Sequence, residues 1–434
     1  MSREALMLQA HPVPKISEFD DDLRSFGLKY VSLWDDTTSS WADPGPTFTL
    51  AAQRRNESVA ARLIGTMEQE LRSYPSSSFD QAEWRRRIFG SLRAFGEECF
   101  AFPDRHFDII FSPEYFSVTR SFARQAHAFD ENIDPQSLAQ ALRNVWVMNC
   151  LQMFLGGKPT LTPSVFAYSM LYPYTDNYLD QVDLSPEAKA GACGRLASRL
   201  SGWRPNPVDE HEAAVFHLVG MIEDEFPRAG FPEVYQSLLA IHAGQTASLA
   251  QQRRICSLDP SDLLRISVEK GGSSVLADGW LVAGKLKREE AEFIFGFGVM
   301  LQLLDDLQDV PEDRKAGHWT LFTRAAMAGD LDSLTSRLAR FMVATLSSGE
   351  CFRGAAGLEL RELILRNSVM LMMRAIADSV ELYPRVFLRH VERFSPMRFS
   401  FLRAQRRMVE KKFARIWPAV SKQRNLRSIF DLLG

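Results

Sequence analysis

Five cysteines in 434 residues, Cys99, Cys150, Cys193, Cys256 and Cys351, are odd in number and scattered, and no C-x-x-C pair is present to hold zinc or do redox work. They read as reduced core residues. No histidines have H-E-x-x-H spacing, and His211 and His217, six apart, do not share a helix face. Excess charge of one sign is also missing. A formal net charge of −3 excludes wholesale attraction of the chain to nucleic acid or an anionic surface. The apolar stretch from Val145 to Leu155 falls short of the roughly 18 uninterrupted residues of a spanning helix, so no transmembrane segment is expected. The opening MSREALMLQAHPVPK has no apolar h-region, and a soluble, cytoplasmic protein is expected. Strand-like alternation is scarce and no period of 20 to 50 residues repeats, which excludes a solenoid.

What the chain has is apolar material for a large core, 46% hydrophobic against 24% charged. Helix signals dominate from about residue 50, so the expected fold class is all-α. Asp134-Pro135 and Asp259-Pro260 each place an N-capping acid before a proline at the first helical position. The first of these helices stops at Gly156-Gly157. A longer helix starts near Lys287, carries Phe293, Phe297, Met300 and Leu304, and ends near Pro311. After the Tyr74-Pro75 linker, Ser78 and Gln81 have capping-box spacing. Residues 1–75, with Pro12, Pro14, Pro44, Pro46 and the Asp20-Asp21-Asp22 run, read as an N-terminal extension or lid, and residues 76–434 as the main helical domain.

Two acidic clusters stand out. In Gln302-Leu303-Leu304-Asp305-Asp306-Leu307-Gln308-Asp309, Asp305 and Asp309 are one helical turn apart with Asp306 at the edge of their face. A solvated acidic helix end has the same spacing, but the apolar Leu301–Leu304 surroundings argue against a fully solvated face. Upstream, Asp176 and Asp180 repeat the one-turn spacing and Asp183 extends it. Acids this close repel unless a cation sits among them, and hard oxygen ligands suit Mg²⁺. Helices can bring two such clusters to one cavity. A diphosphate is the natural guest, because Mg²⁺ bridges its oxygens and stabilises charge as it leaves an allylic carbon. Aromatic residues before each cluster, Phe166, Tyr168 and Tyr172 in one case and Phe293, Phe295 and Phe297 in the other, can wall a cationic intermediate, although the same spacing serves plain core.

Three further segments fall in order along the chain. Gly244-Gln245-Thr246-Ala247-Ser248-Leu249 resembles a G-Q-x-x-D-L helix with Ser248 in place of the acid, Lys270-Gly271-Gly272-Ser273 resembles a K-T-A or K-T-G helix break, and the Gln302–Asp309 run matches Q-x-x-D-D-x-x-D. Together these resemble the class I isoprenoid (terpenoid) synthase superfamily, and residues 160–325 resemble trans-prenyl diphosphate synthases. The resemblance implies a helical bundle around a central apolar cavity, Mg²⁺ (three ions) on Asp176, Asp180, Asp183, Asp305, Asp306 and Asp309, and a prenyl diphosphate substrate. It implies diphosphate binding by Lys270, with Arg314, Lys315 and His318 as further candidates just past the second cluster. Phe166, Tyr172, Gln245, Ser248 and Gln302 are expected at the substrate cavity, and a homodimer is expected because helical synthases of this type commonly pair.

Departures from the pattern matter as much. A chain-elongating synthase carries G-G-K-R-x-R well upstream of its first acidic motif, whereas this chain has Gly156-Gly157-Lys158-Pro159 close before Asp176. Asp176-Asn177-Tyr178-Leu179-Asp180 is not D-D-x-x-D. With Phe226-Pro227-Arg228 and Gln245-x-x-Ser248-Leu249-x-Gln251, this wording is similar to bacterial terpene synthases built on the prenyltransferase pattern. The expected activity is therefore a Mg²⁺-dependent terpene synthase (a lyase). The alternatives are a prenyltransferase, elongating or head-to-head, and a non-catalytic helical interaction protein with relic motifs.

Overall fold

The computed structural model describes residues 17–41, 45–75, 77–180, 184–252, 258–352, 354–424 and 432. Among these, the chain forms eighteen α-helices and four short 3₁₀ turns, with no strand. The all-α expectation holds. In order, the helices are α1 (Glu18–Asp36), α2 (Leu50–Arg72), α3 (Ser78–Phe100), α4 (Asp104–Ile110), α5 (Pro113–Phe129) and α6 (Pro135–Phe154). There follow α7 (Pro163–Asp180), α8 (Pro186–Leu200), α9 (Glu210–Glu225), α10 (Pro232–Ser248), α11 (Pro260–Ala283) and α12 (Arg288–Gln308). The last six are α13 (Val310–Ala316), α14 (Leu321–Ala328), α15 (Leu331–Ser347), α16 (Ala355–Asp378), α17 (Arg385–Val391) and α18 (Phe399–Arg424).

The cap signals act where they were read. Asp134 accepts from the backbone N–H groups of Gln136 and Ser137 to open α6, and Asp259 accepts from Asp262 to open α11, each such cap stabilising its helix by about 1 kcal/mol. Ser77, one residue before the expected Ser78, caps α3. Gly156, at φ 81°, ends the α6 segment.

α11 is the central helix and lies against α1, α6, α7, α10 and α12. The Lys270-Gly271-Gly272 segment does not break it, because both glycines are needed for packing. A Cβ on Gly298 of α12 would collide with the Gly271 carbonyl, and one on Gly271 with the side chain of Gln302. The pair lets two backbones approach more closely than any larger residue permits. That approach puts the acidic end of α12 beside Ser267 and Lys270.

Residues 1–75 were read as an extension or lid, yet α1 is part of the main core. Phe26, Tyr30 and Trp34, four residues apart on one face, are buried against Phe295 and Phe341. Even the acidic run is engaged: Asp22 pairs with Arg288 at 2.7 Å. α2, α3 and α18 form an annex with its own small cores, one around Val59, Cys99 and Met397 and one around Tyr74, Trp84 and Leu432. No described helix is long and apolar enough to cross a membrane. Cys99, Cys150, Cys193 and Cys351 are free thiols, and Cys256 lies outside the described residues.

Candidate active site

α7 and α12 bring one acid set each to a shared cavity of about 230 Å³. Asp176 comes from α7, and Asp305, Asp306 and Asp309 come from the end of α12. Asp180 is the last residue of α7, its side chain outside the described part, and Asp183 lies outside the described residues. Tyr172, Gln245, Ser248, Lys270 and Gln302 also line the cavity, so five of the residues singled out from the sequence meet the acids.

Asp176 is held from two sides. Gln245 Nε2 donates to its Oδ1 at 2.8 Å, and Lys270 Nζ lies 4.0 Å from its Oδ2. Gln245 is positioned by α10, which approaches α11 closely at Gly244, where an added Cβ would stand 3.1 Å from the Lys270 Cα. Ser248 Oγ donates to the Gln245 carbonyl at 2.8 Å.

The three acids of α12 differ in their surroundings. Asp306 is buried with both oxygens engaged, Oδ2 accepting from Ser267 Oγ at 2.7 Å and Oδ1 from Gln302 Nε2 at 2.8 Å. Burial pushes its carboxyl up to about 6 against the opposing pull of those donors. Asp305 is half-buried, and enclosure raises its carboxyl while the charges of Arg143 and Lys270 oppose the rise. Asp309 stands at the exposed rim; enclosure by the wall, then the carboxylates of Asp305 and Asp313, push it up to about 7. Enclosure, with Asp176 and Asp305 adding to it, raises the Tyr172 phenol well above its ordinary value. Five carboxyls, those of Asp176, Asp305, Asp306, Asp309 and Asp313, share this wall with Lys270 and Arg143, and burial is the main reason the α12 acids hold their protons more tightly.

Carboxylates are the donor type that Mg²⁺ takes, and Asp176, Asp305 and Asp309 present theirs at the cavity wall. Among the described residues, no three acids or histidines are already gathered as a ready metal cage. Mg²⁺ characteristically binds one or two carboxylates and completes its octahedron with water and substrate phosphate oxygens. Each oxygen of Asp306 accepts one short hydrogen bond, which fixes the orientation of the carboxyl and leaves a lone pair on each oxygen.

Three expectations need correction. Arg314 and Lys315 are exposed and do not line the cavity; from their helix, α13, Asp313 faces it, with His318 just beyond at 3.5 Å from Asp313. Phe166 is core, its ring 5.5 Å from that of Phe122 and 6.0 Å from that of Phe129, because it sits on the side of α7 turned to α5. Phe293, Phe295 and Phe297 are likewise packed, the first and third against Phe154 and the second against Phe26. Arg228 of Phe226-Pro227-Arg228 is a structural clamp. It pairs with Glu223 at 2.8 Å, donates to the carbonyls of Leu200 and Arg199, and covers the Tyr235 ring.

Sequence reading missed Gln140 and Arg143 of α6, Ser267 of α11, and Asp313. Arg143 had a signal: it is the sole charged residue in α6. Ser267 had none, since a serine three residues before Lys270 is unremarkable until α12 is docked. Leu179 and Gln245 border both the acid-lined cavity and a smaller apolar recess of about 40 Å³ between α7, α8 and α9.

No family profile matches the chain, and no curated protein matches it. Among solved structures, a geranyltransferase from Legionella pneumophila is 16% identical with a TM-score of 0.37, the match covering 61% of this chain and 96% of that one.

Proposed function

We propose that the chain is a Mg²⁺-dependent enzyme that ionises a prenyl diphosphate, as a class I terpene synthase. The observation that carries the reading is the convergence of Asp176 from α7 with Asp305 and Asp309 from α12 on a cavity that also presents Lys270 and Arg143. Carboxylates facing each other across a space with two cations at its wall suit an anion that arrives with its own metal.

Asp176, Asp305 and Asp309 would hold Mg²⁺, which when bound supplies charge neutralisation for the departing diphosphate. Lys270 and Arg143 bind and orient the anion. Gln245 fixes Asp176, and Ser267 with Gln302 fixes Asp306, so the acids do not reorganise as charge develops. Tyr172, kept neutral, offers an aromatic face and a hydroxyl one turn from Asp176.

Release of a cyclised or quenched product, rather than transfer to a second prenyl group, is favoured by Lys158. It lies beyond the C-terminal end of α6, exposed and paired with Glu114 at 3.0 Å, so Gly156-Gly157-Lys158 ends a helix and stands outside the lining of the acid-lined cavity. The test is incubation of purified protein with Mg²⁺ and prenyl diphosphates of increasing length, with products read by gas chromatography and mass spectrometry. A hydrocarbon or alcohol without an isoprenyl acceptor, lost in Asp176→Ala and Asp305→Ala, supports the synthase. Product formed solely with a second prenyl diphosphate makes it a prenyltransferase. No turnover, and no thermal stabilisation by Mg²⁺ with diphosphate, leaves a non-catalytic helical protein.

A further inference from the structure

Charge is unevenly distributed over this chain. α2, α3 and α18 carry sixteen Lys and Arg against eight Asp and Glu, a formal +8, which leaves −11 on the rest of a chain whose total is −3. α18 alone holds eight of these cations and a single acid, Glu410. The acids of α2 are engaged within the annex: Glu57 with Arg398, Glu68 with Arg72, Lys412 and Arg415, and Glu70 with Arg87. These pairings also set α2 and α18 side by side in the same direction, since later residues of one meet later residues of the other.

Arg54, Arg55 and Arg62 on α2 and Arg403, Lys411 and Lys422 on α18 are exposed. Along α18 the three exposed cations extend over about 28 Å at 1.5 Å per residue. The same helices also expose apolar side chains: Leu50 at 53% and Phe79 at 83%.

We propose that the α2–α3–α18 annex docks on an anionic lipid bilayer. Acidic headgroups attract clustered Lys and Arg within a Debye length, and the headgroup layer takes up isolated apolar side chains. A nucleic acid matches the positive charge but offers nothing to Leu50 and Phe79. The −11 on the rest of the chain orients the molecule, turning the annex toward the surface and the rest away from it. The inference is independent of the reaction assigned to the acid-lined cavity.

The experiment is co-sedimentation of the full chain with vesicles of phosphatidylcholine alone or mixed with phosphatidylserine, at low and high salt. Binding to the mixed vesicles is expected, with loss at high salt. A drop in partition of at least about tenfold is expected in the double variant Arg403→Glu/Lys411→Glu, with an unchanged melting temperature. Arg54→Glu/Arg62→Glu on α2 repeats the test should the first variant melt early. Absence of binding, equal binding to both vesicle types, full binding by a well-folded double variant, or tighter binding to duplex DNA than to the mixed vesicles would each overturn the proposal.

Discussion

Ser267 Oγ donates to Asp306 Oδ2 at 2.7 Å, joining the central helix α11 to the acidic turn of α12. Ser267→Ala leaves a buried carboxylate oxygen without its donor, which costs about 1–3 kcal/mol. The loss depends on pH. The carboxyl of Asp306 is raised in the folded state, so its contribution is fully present below the unfolded value near 4 and is lost as pH rises through about 6. Without Ser267 the folded value rises further. The stability gap between variant and wild type, read from urea midpoints, is expected to be small at pH 4 and to widen toward pH 7.

Gln245 holds Asp176 through a 2.8 Å hydrogen bond. Removing a group that orients a metal-binding carboxylate typically costs 10- to 100-fold in metal affinity or activity. Gln245→Ala is therefore expected to raise the Mg²⁺ concentration for half-maximal activity by about that factor, while the melting temperature of the metal-free protein moves little.

Lys270 and Arg143 face the cavity, whereas Arg314 and Lys315 do not. A hydrogen bond to a charged group contributes about 1.5–3 kcal/mol, or roughly ten- to hundredfold in rate. Lys270→Ala and Arg143→Ala should each lower kcat/KM for a prenyl diphosphate by that order, and Arg314→Ala/Lys315→Ala should stay within about twofold of wild type. The reverse ranking would move the diphosphate site onto α13.

The helical class, the starts of α6 and α11 and the two acid turns were legible in the sequence because each is set by residues within one or two turns. Pairings across helices were less so. Nothing local distinguishes Gly271 as a helix break from Gly271 as half of a backbone contact; the partner, Gly298, lies on the next helix. The aromatic period of Phe26, Tyr30 and Trp34 was present in a segment whose prolines and acids pointed to a loose extension. Arg314 and Lys315 carry the right charge for a diphosphate, and the turn of a short helix points them outward.

The close α11–α12 approach gives a test of that contact. Gly298→Ala places a methyl against the Gly271 carbonyl, and overpacking of a tight interface costs typically 1–3 kcal/mol. The fall in stability should be accompanied by a loss of Mg²⁺-dependent stabilisation, because separating the helices also displaces Ser267 and Lys270 of α11 from the acidic turn of α12.

Asp278 lies five turns from the start of α11, fully buried between helices. Asn144 Nδ2 donates to its Oδ1 at 3.0 Å, and its Oδ2 has no hydrogen-bond partner among the described residues. Burial raises its carboxyl well above the ordinary value, with Asn144 opposing the rise, so the group is held in its neutral form as pH rises past the unfolded value near 4. Over that interval the unfolded chain releases a proton that the folded protein keeps, and stability falls with rising pH. Asp278→Asn keeps the shape and removes the titration. The variant should match or fall slightly below wild type at pH 4 and gain on it steadily toward neutral pH, by about 1.4 kcal/mol for each unit by which burial has raised the acid. A melting-temperature difference that does not change between pH 4 and pH 8, or one that shrinks, would mean that Asp278 is ionised in the folded protein.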